Sequence, residues 1–293
     1  MNIFEIIFVQ PLINALIFIY SILPYHDFGI AIILLTLIIR GVLWPLQSQT
    51  LRSQKALNKI QPEVKKIQEK YKNDPKKVQE MTMELYKEKE VNPLSSCLPS
   101  LIQLPLLFAL FYALIKFRDP NFIKLINPNA GIWLYLYPWV RNLAFVKSAL
   151  SVPFSTMFLG IIDLAKSAAP KGILSFGFYY WPAAILALLA GGTQYFQTKQ
   201  IMPKQQGGDQ AAKTMGMMVY LFPAMTIFIG VTLPAALPLY WTVTTAVAYF
   251  QQWLIMGRDV DELDKEAVIE VEAEEATTAK LLKTKNKKQK TKK

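Results

Sequence analysis

Hydrophobic residues in this chain form long runs that are separated by segments rich in charge. Five runs have the length of a membrane-crossing helix, about 20 residues: 28–46, 94–117, 179–197, 215–233 and 239–256. The prolines of "PAALP" at 234–238 mark a short reversal between the last two runs. The pattern predicts an all-α polytopic membrane protein with a five-helix core, in which the last two helices form an antiparallel hairpin.

Two further apolar stretches have more than one interpretation. Residues 3–23 are long enough to cross a bilayer, but Gln10, Pro11 and Asn14 interrupt them and only a short turn precedes the next run. We therefore expect residues 1–24 to form an N-terminal interfacial helix, with a sixth span as the alternative. Residues 153–164 are too short to span and predict an interfacial or re-entrant segment.

The polar segment 52–91, between the first two runs, carries a helical seam. Its apolar residues alternate in steps of three and four, as in a coiled coil: Leu57, Ile60, Val64, Ile67 and Tyr71. "KNDP" at 72–75 predicts a turn, because Pro75 disfavours helix at the residue before it. We expect an antiparallel helical hairpin with arms of roughly 20 residues, kinked or restarted at Pro62. The hairpin either docks partners or simply separates two spans.

The distribution of lysine and arginine residues predicts the orientation of the chain in the membrane. The hairpin 52–91, the connection 198–214 and the segment after residue 256 are lysine-rich, and five spans place these three regions on the same side. Because positively charged loops favour the cytoplasm, we predict a cytoplasmic C-terminus. The N-terminus and the region 118–178 are then external.

The C-terminal tail, residues 258–293, changes charge along its length. Residues 259–275 hold nine acidic side chains and one lysine. Residues 280–293 hold no acid and eight lysines: Lys280, Lys283, Lys285, Lys287, Lys288, Lys290, Lys292 and Lys293. Both blocks are too polar to build a core, so we expect disorder. The net charge of +11 and the lysine-rich end suit anionic lipids or ribosomal RNA, and composition does not distinguish the two.

One charged residue, Arg40, lies within the first hydrophobic run. Arg40 has no acidic residue within five positions on either side, and an arginine at the centre of a membrane helix costs roughly 2.5–3.5 kcal/mol on insertion scales. Arg40 precedes Leu46 by six residues, roughly 9 Å of helix, so a side chain that snorkels to the interface is one explanation. The other is a hydrated site whose positive charge attracts an acidic or polar segment.

The sequence carries no signature of the common catalytic or metal chemistries. It contains neither a G-x-x-x-x-G-K-[ST] loop nor an H-E-x-x-H motif, and its sole histidine, His26, lies in a short loop. A single cysteine, Cys97, excludes an internal disulfide. We therefore expect no enzymatic activity, no cofactor and no metal site.

Several motifs taken together resemble the YidC/Oxa/Alb family of membrane protein insertases. They are "GIAIILLTLIIRGVLWPL", "NPLSSCLPSLIQLPLLFALFYAL", "FLGIIDL", "FQTKQIMP" and "FPAMTIFIGVTLPAALPLYW" followed by "QQW", in the family's order over roughly residues 25–256. The resemblance implies an insertase core over 25–257, with five membrane helices around a hydrophilic groove that opens to the cytoplasm and to lipid. It also implies a multi-pass protein of the bacterial plasma membrane.

The resemblance also assigns groove positions. Arg40 matches the family's groove arginine, and Thr36 lies one helical turn before it on the same face. Gln197 in "FQTKQ" and Trp241 in "LYW" match two further groove positions. The implied function is the insertion and folding of newly made membrane proteins without nucleotide hydrolysis. The implied partners are nascent membrane proteins, the ribosome and anionic lipids, with the Sec translocon and the signal recognition particle pathway as candidates.

The sequence is also compatible with two other functions. A small-solute transporter would also place a charge inside the membrane, although no inverted repeat is evident. A membrane anchor for ribosomes would use the hairpin and the tail and leave the groove residues idle.

Overall fold

The computed structural model describes residues 2–92, 98–117, 119, 122, 131–169, 180–201 and 210–255, which are mostly helical. The elements, in chain order, are a π-helical turn Glu5–Val9 that runs into α1 (Gln10–Ile22), a 3-10 turn Pro24–His26, α2 (Phe28–Val42), α3 (Trp44–Lys70), α4 (Pro75–Glu88), α5 (Leu98–Lys116), a 3-10 turn Gly131–Leu134, α6 (Pro138–Arg141), α7 (Ala144–Ser151), β1 (Met157–Phe158), β2 (Ile162–Asp163), α8 (Trp181–Ile201), α9 (Gln210–Gly230) and α10, which covers residues 236–255. The tail 258–293, with the eight lysines at its end, and Cys97 lie outside the described residues.

The N-terminal helix is part of the hydrophobic core. Ile13, Leu16 and Ile17 of α1 are fully buried, and the helix contacts α2, α5 and α7. Glu5–Ile22 also has the length and the composition of a membrane span. This packing and length agree with the sixth span that the sequence left open as an alternative to the interfacial helix, and the position of the helix in a bilayer stays a prediction.

Helices α2 and α3 meet at a bend of 63°. Pro45 accounts for the bend, because its ring would clash with the carbonyl of Gly41 in a continuous helix and it has no N–H to donate. The structure therefore differs from the single helix expected over 28–46. The apolar helix ends at Val42, and the last residues of that run begin α3 instead.

Helices α3 and α4 form a hairpin around a turn at residues 71–74. Asp74 caps α4 by accepting from the Lys77 N–H at 3.1 Å, and Lys89 forms an ion pair with Glu63 of α3 at 3.5 Å. The seam expected in the first arm faces inward: Ile60 and Val64 are buried, and Leu57, Ile67 and Tyr71 are half-buried.

The two arms of the hairpin are unequal. Within the predicted segment 52–91, the first arm covers residues 52–70 of α3, close to the expected length, whereas α4 has 14 residues and is shorter than expected. Helix α3 also continues through Pro62, so the restart expected there is not observed.

Residues 153–164 are expected from the sequence to be interfacial or re-entrant, and this placement stays a prediction. They contain a two-stranded antiparallel sheet in which Met157 pairs with Asp163 and Phe158 pairs with Ile162. The ring of Phe158 lies against Gly29, where any Cβ would collide with it. The sheet is therefore seated on the first turn of α2, where Asp27 also accepts a hydrogen bond from the Leu159 N–H at 2.5 Å.

Helices α8 and α10 also contribute buried residues to the core, and α9 packs against α8. Helices α8 and α9 approach closely at Gly191, which faces Ile227, and at Gly230, which faces Ala187. Among the described helices, Glu5–Ile22 alone has the length and hydropathy of a span, and α2 with α3 passes the same test as a bent pair. Leu104–Lys116 and Gly216–Gly230 are shorter apolar helices, so the five-span arrangement stays a prediction.

Candidate functional site

Arg40 lies in the last turn of α2 and reaches across the bend to α3. Its Nη1 donates to Oε1 of Gln47 at 2.7 Å, and both side chains are half-buried. Within the described part of the chain, no carboxylate forms an ion pair with Arg40. Among the described residues, the Arg40 charge is therefore bonded to the neutral side chain of Gln47 and is not cancelled by a carboxylate.

The first turn of α3 is fixed by a glutamine from the end of the core. Gln251 of α10 is 1% exposed, and its amide donates to the Trp44 carbonyl at 3.1 Å and to Oγ of Ser48 at 3.3 Å. Ser48 itself donates to the Trp44 carbonyl at 2.8 Å. Because Gln47 lies between these two residues, the contact fixes the helical turn from which Gln47 reaches Arg40.

Polar side chains also join the three C-terminal helices. The hydroxyls of Thr193 in α8 and Thr245 in α10 are 2.6 Å apart, and Thr226 of α9 donates to the Gln194 side chain. We call these four residues the threonine–glutamine layer. Such hydrogen bonds satisfy polar groups that would be costly inside a bilayer.

The four residues that the resemblance assigned to a groove have different surroundings. Thr36 is buried, and its hydroxyl donates to the Ile32 carbonyl of its own helix at 2.7 Å. Gln197 is half-buried on α8, four residues after Thr193 of the threonine–glutamine layer. Trp241 is half-buried against the core and follows Tyr240 in α10. Of the hydrogen bonds between described residues, none joins Arg40 to Gln197 or Trp241.

No role is predicted from the sequence for Gln47 or for the threonine–glutamine layer, and Gln251 appears there only within the "QQW" motif, without an assigned role. Gln47 falls at the polar end of a run, where a glutamine is ordinary. Gln251 and Trp44 are 207 residues apart in the chain, so no local pattern joins them. The polar residues Thr193, Gln194 and Gln197, which follow the apolar first half of α8, are the signal that would have revealed a polar face on this helix.

The hairpin is attached to the core near this site. The side-chain amide of Asn58 in α3 donates to the carbonyl of Ile201 at the end of α8, at 3.0 Å. This bond satisfies one of the carbonyls that the last turn of a helix leaves free. It also couples the middle of α3 to the helix that carries Gln197.

This site can attract negatively charged groups and can form hydrogen bonds. The described residues include no group of three or more His, Cys, Asp or Glu side chains that would hold a metal ion. What the site offers is a permanent positive charge on Arg40 with neutral donors and acceptors around it. Beside it, α2 exposes apolar side chains, among them Leu37, Ile38 and Val42.

Comparison with known proteins gives a consistent result. A family model described as 60Kd inner membrane protein matches residues 18–262. Membrane protein insertase YidC from Clostridium tetani is 37% identical over 218 residues, which cover 74% of this chain and 76% of the relative. The protein of the same name from Fusobacterium nucleatum is 34% identical over 232 residues, or 79% and 87% of the two chains. A longer relative of that name, from Chlorobaculum parvum, is 34% identical over 254 residues, which cover 84% of this chain and 36% of the relative.

Proposed function

Since this chain belongs to the 60Kd inner membrane protein family, which is the YidC/Oxa1 family, we propose that it inserts newly made membrane proteins into a bacterial membrane. Its relatives named membrane protein insertase support an insertase role. The observation that carries the mechanism is the Arg40 guanidinium, half-buried and held by Gln47 rather than by a carboxylate.

In the proposed mechanism, Arg40 attracts the acidic or polar flank of an incoming chain. Attraction between opposite charges is stronger where the dielectric constant is lower than in water, so the site lowers the cost of bringing that flank part of the way across the bilayer. The apolar segment that follows leaves sideways into lipid, driven by the hydrophobic effect. This sequence of steps needs neither a nucleotide nor a cofactor.

Four groove residues belong to this proposal: Arg40, Thr36, Gln197 and Trp241. Gln197 extends the polar face of α8, while the rotation of the Thr36 hydroxyl away from the Ile32 carbonyl would offer a second polar contact one turn from Arg40. Trp241 supplies a half-buried amphipathic ring on α10. The groove opens to the cytoplasm and to lipid and is closed on the external side.

The proposed orientation is N-terminus outside and C-terminus in the cytoplasm, in a multi-pass protein of the plasma membrane. The hairpin and the lysine-rich tail then lie on the side where ribosomes are. The proposed partners are nascent membrane proteins, the ribosome and anionic lipids, together with the Sec translocon and the signal recognition particle pathway.

The test is insertion by the purified protein in liposomes, with a single-span substrate whose translocated flank is acidic. Arg40→Lys keeps the charge and loses the planar fork, so it should retain much of the activity. Arg40→Ala should insert less, and Arg40→Glu least, because it repels the flank. Changing the substrate flank from acidic to basic should partly restore insertion by Arg40→Glu.

The matched control is Arg52→Glu, which makes the same charge change at an exposed position of α3 and should leave insertion unchanged. Equal insertion of the acidic-flanked substrate by all three Arg40 variants would contradict the mechanism and leave Arg40 as a snorkelling side chain. A ribosome anchor would insert no substrate in liposomes, and a small-solute transporter would give solute flux without any protein substrate.

A further inference from the structure

We infer that the lack of charge on Gln47 preserves the preference of the Arg40 site for acidic flanks: Gln47 is a neutral, exchangeable partner that bonds to the guanidinium and releases it to an acidic flank. This inference rests on the proposed function. It concerns a residue for which the resemblance to known insertases assigned no role, and the contact across the bend carries it.

The geometry orients the Arg40 guanidinium through Gln47 and leaves it available to a second partner. The Arg40–Gln47 bond, 2.7 Å long, joins the last turn of α2 to the first turns of α3 across the 63° bend. A guanidinium has five N–H donors, so one bond to an amide oxygen leaves donors for a second partner. A carboxylate accepts two parallel bonds from arginine and is the stronger acceptor. An acidic flank can therefore replace Gln47, whereas a neutral flank gains little by doing so.

The position of Gln47 is fixed by the core. Gln251, which is 1% exposed, donates to the Trp44 carbonyl and to the Ser48 hydroxyl, the residues three before and one after Gln47. The backbone of this turn is therefore held in place whether or not Gln47 is bonded to Arg40. Exchange of the Arg40 partner then requires movement of side chains alone.

The identity of the side chain at position 47 follows from this function. A glutamate there would form a permanent ion pair with Arg40 and would cancel the charge that attracts the substrate. A leucine would leave the guanidinium without its partner on α3 but still charged. Glutamate at position 47 therefore weakens the attraction for an acidic flank and leucine does not, although both substitutions remove the amide.

The experiment measures the ratio of acidic-flanked to basic-flanked substrate inserted by the full-length protein in liposomes of the same lipid composition. Gln47→Glu should lower this ratio by about fivefold, to the level of Arg40→Ala, while insertion of the basic-flanked substrate persists. Gln47→Leu should keep the ratio at or above the wild-type value. Gln49→Glu, an identical change at an exposed neighbouring position, should keep the wild-type ratio.

A wild-type ratio in Gln47→Glu overturns the inference, as does an equal fall in Gln49→Glu. Insertion of the basic-flanked substrate reports whether each variant has folded. If Gln47→Glu inserts neither substrate, Gln47→Leu decides: a lower ratio in that variant also overturns the inference. Arg40→Ala measured in parallel separates the two proposals. A wild-type ratio in Arg40→Ala would refute the proposed role of Arg40 in insertion, whereas a lower ratio there with no change in Gln47→Glu would refute this inference alone.

Discussion

Glu5 and Lys116 form an ion pair of 3.9 Å between the N-terminal helix and the end of α5. Glu5 is 8% exposed and accepts hydrogen bonds from the hydroxyls of Tyr112 at 2.7 Å and Tyr135 at 2.8 Å. The Lys116 ammonium lies over the rings of the same two tyrosines, 4.5 Å and 5.0 Å from their centroids. This cluster ties together the N-terminal helix, α5 and the segment that follows the 3-10 turn at Gly131–Leu134.

We predict that Glu5→Ala destabilises the protein by about 2–3 kcal/mol, because it leaves a half-buried ammonium and two hydroxyls without their acceptor. Thermal unfolding of the detergent-purified protein measures the change. Glu5→Gln keeps an acceptor oxygen and should lose less. Glu80→Ala, at an exposed position of α4, is the control. An unfolding temperature for Glu5→Ala equal to that of the control would show that the cluster adds no stability.

The paired glycines of α8 give a second test of stability. A Cβ on Gly191 would collide with the Ile227 side chain and lie 3.0 Å from the Pro223 carbonyl, whereas Gly192 has open space around it. Gly191→Ala should destabilise by about 1–3 kcal/mol through overpacking. Gly192→Ala should be neutral or stabilise by up to about 1 kcal/mol, because alanine favours helix. Similar unfolding temperatures for the two variants would contradict the close approach of α8 and α9.

The hairpin is predicted to be necessary for insertion and not for folding of the remaining helices. Replacing residues 56–88 with a flexible linker removes most of α3 and α4 but retains Gln47 and its contact with Arg40. Insertion in the liposome assay should be abolished, while helix content per residue and elution in detergent stay normal. Wild-type insertion by this variant would reduce the hairpin to a spacer.

The lysine-rich end is predicted to add ribosome affinity through charge. Deleting residues 280–293 removes eight lysines, so ribosome binding should weaken and should depend less on salt concentration, because fewer counterions are released. Co-sedimentation with ribosomes at several salt concentrations measures both effects. Deletion of the acidic block 259–275 should act in the opposite direction. An unchanged affinity with an unchanged salt slope would favour anionic lipid as the partner of the lysines.

The hydrophobic pattern predicted a mostly helical protein and the turn that leads into α4 at Pro75, because both follow from local chemistry. It did not predict the bend between α2 and α3, although Pro45, four residues after Gly41, is a local signal for one. The role of the N-terminal helix was harder to predict. Glu5 and Asn14 are unfavourable in a lipid-exposed helix, and their partners lie at residues 112, 135 and 137, far away in the chain.

The residues of the candidate site also differ in how clearly the sequence reveals them. Arg40 could be found from the sequence because a charge in an apolar run is conspicuous. Gln47 and Gln251 could not, because a glutamine is informative only when its partner is known. The structure supplied the partners, and with them the proposal that the charge of Arg40 is oriented without being neutralised.

The bond between Asn58 and the end of α8 fixes α3 to the core near the middle of the helix. Asn58 lies roughly 16 Å from Gln47 and roughly 18 Å from Lys70, at 1.5 Å per residue. Gln251 also holds the first turn of α3, so the half of the helix that carries Gln47 has two attachments to the core. We therefore expect a displacement at the tip of the hairpin to bend α3 beyond Asn58 and to leave the Arg40–Gln47 contact in place.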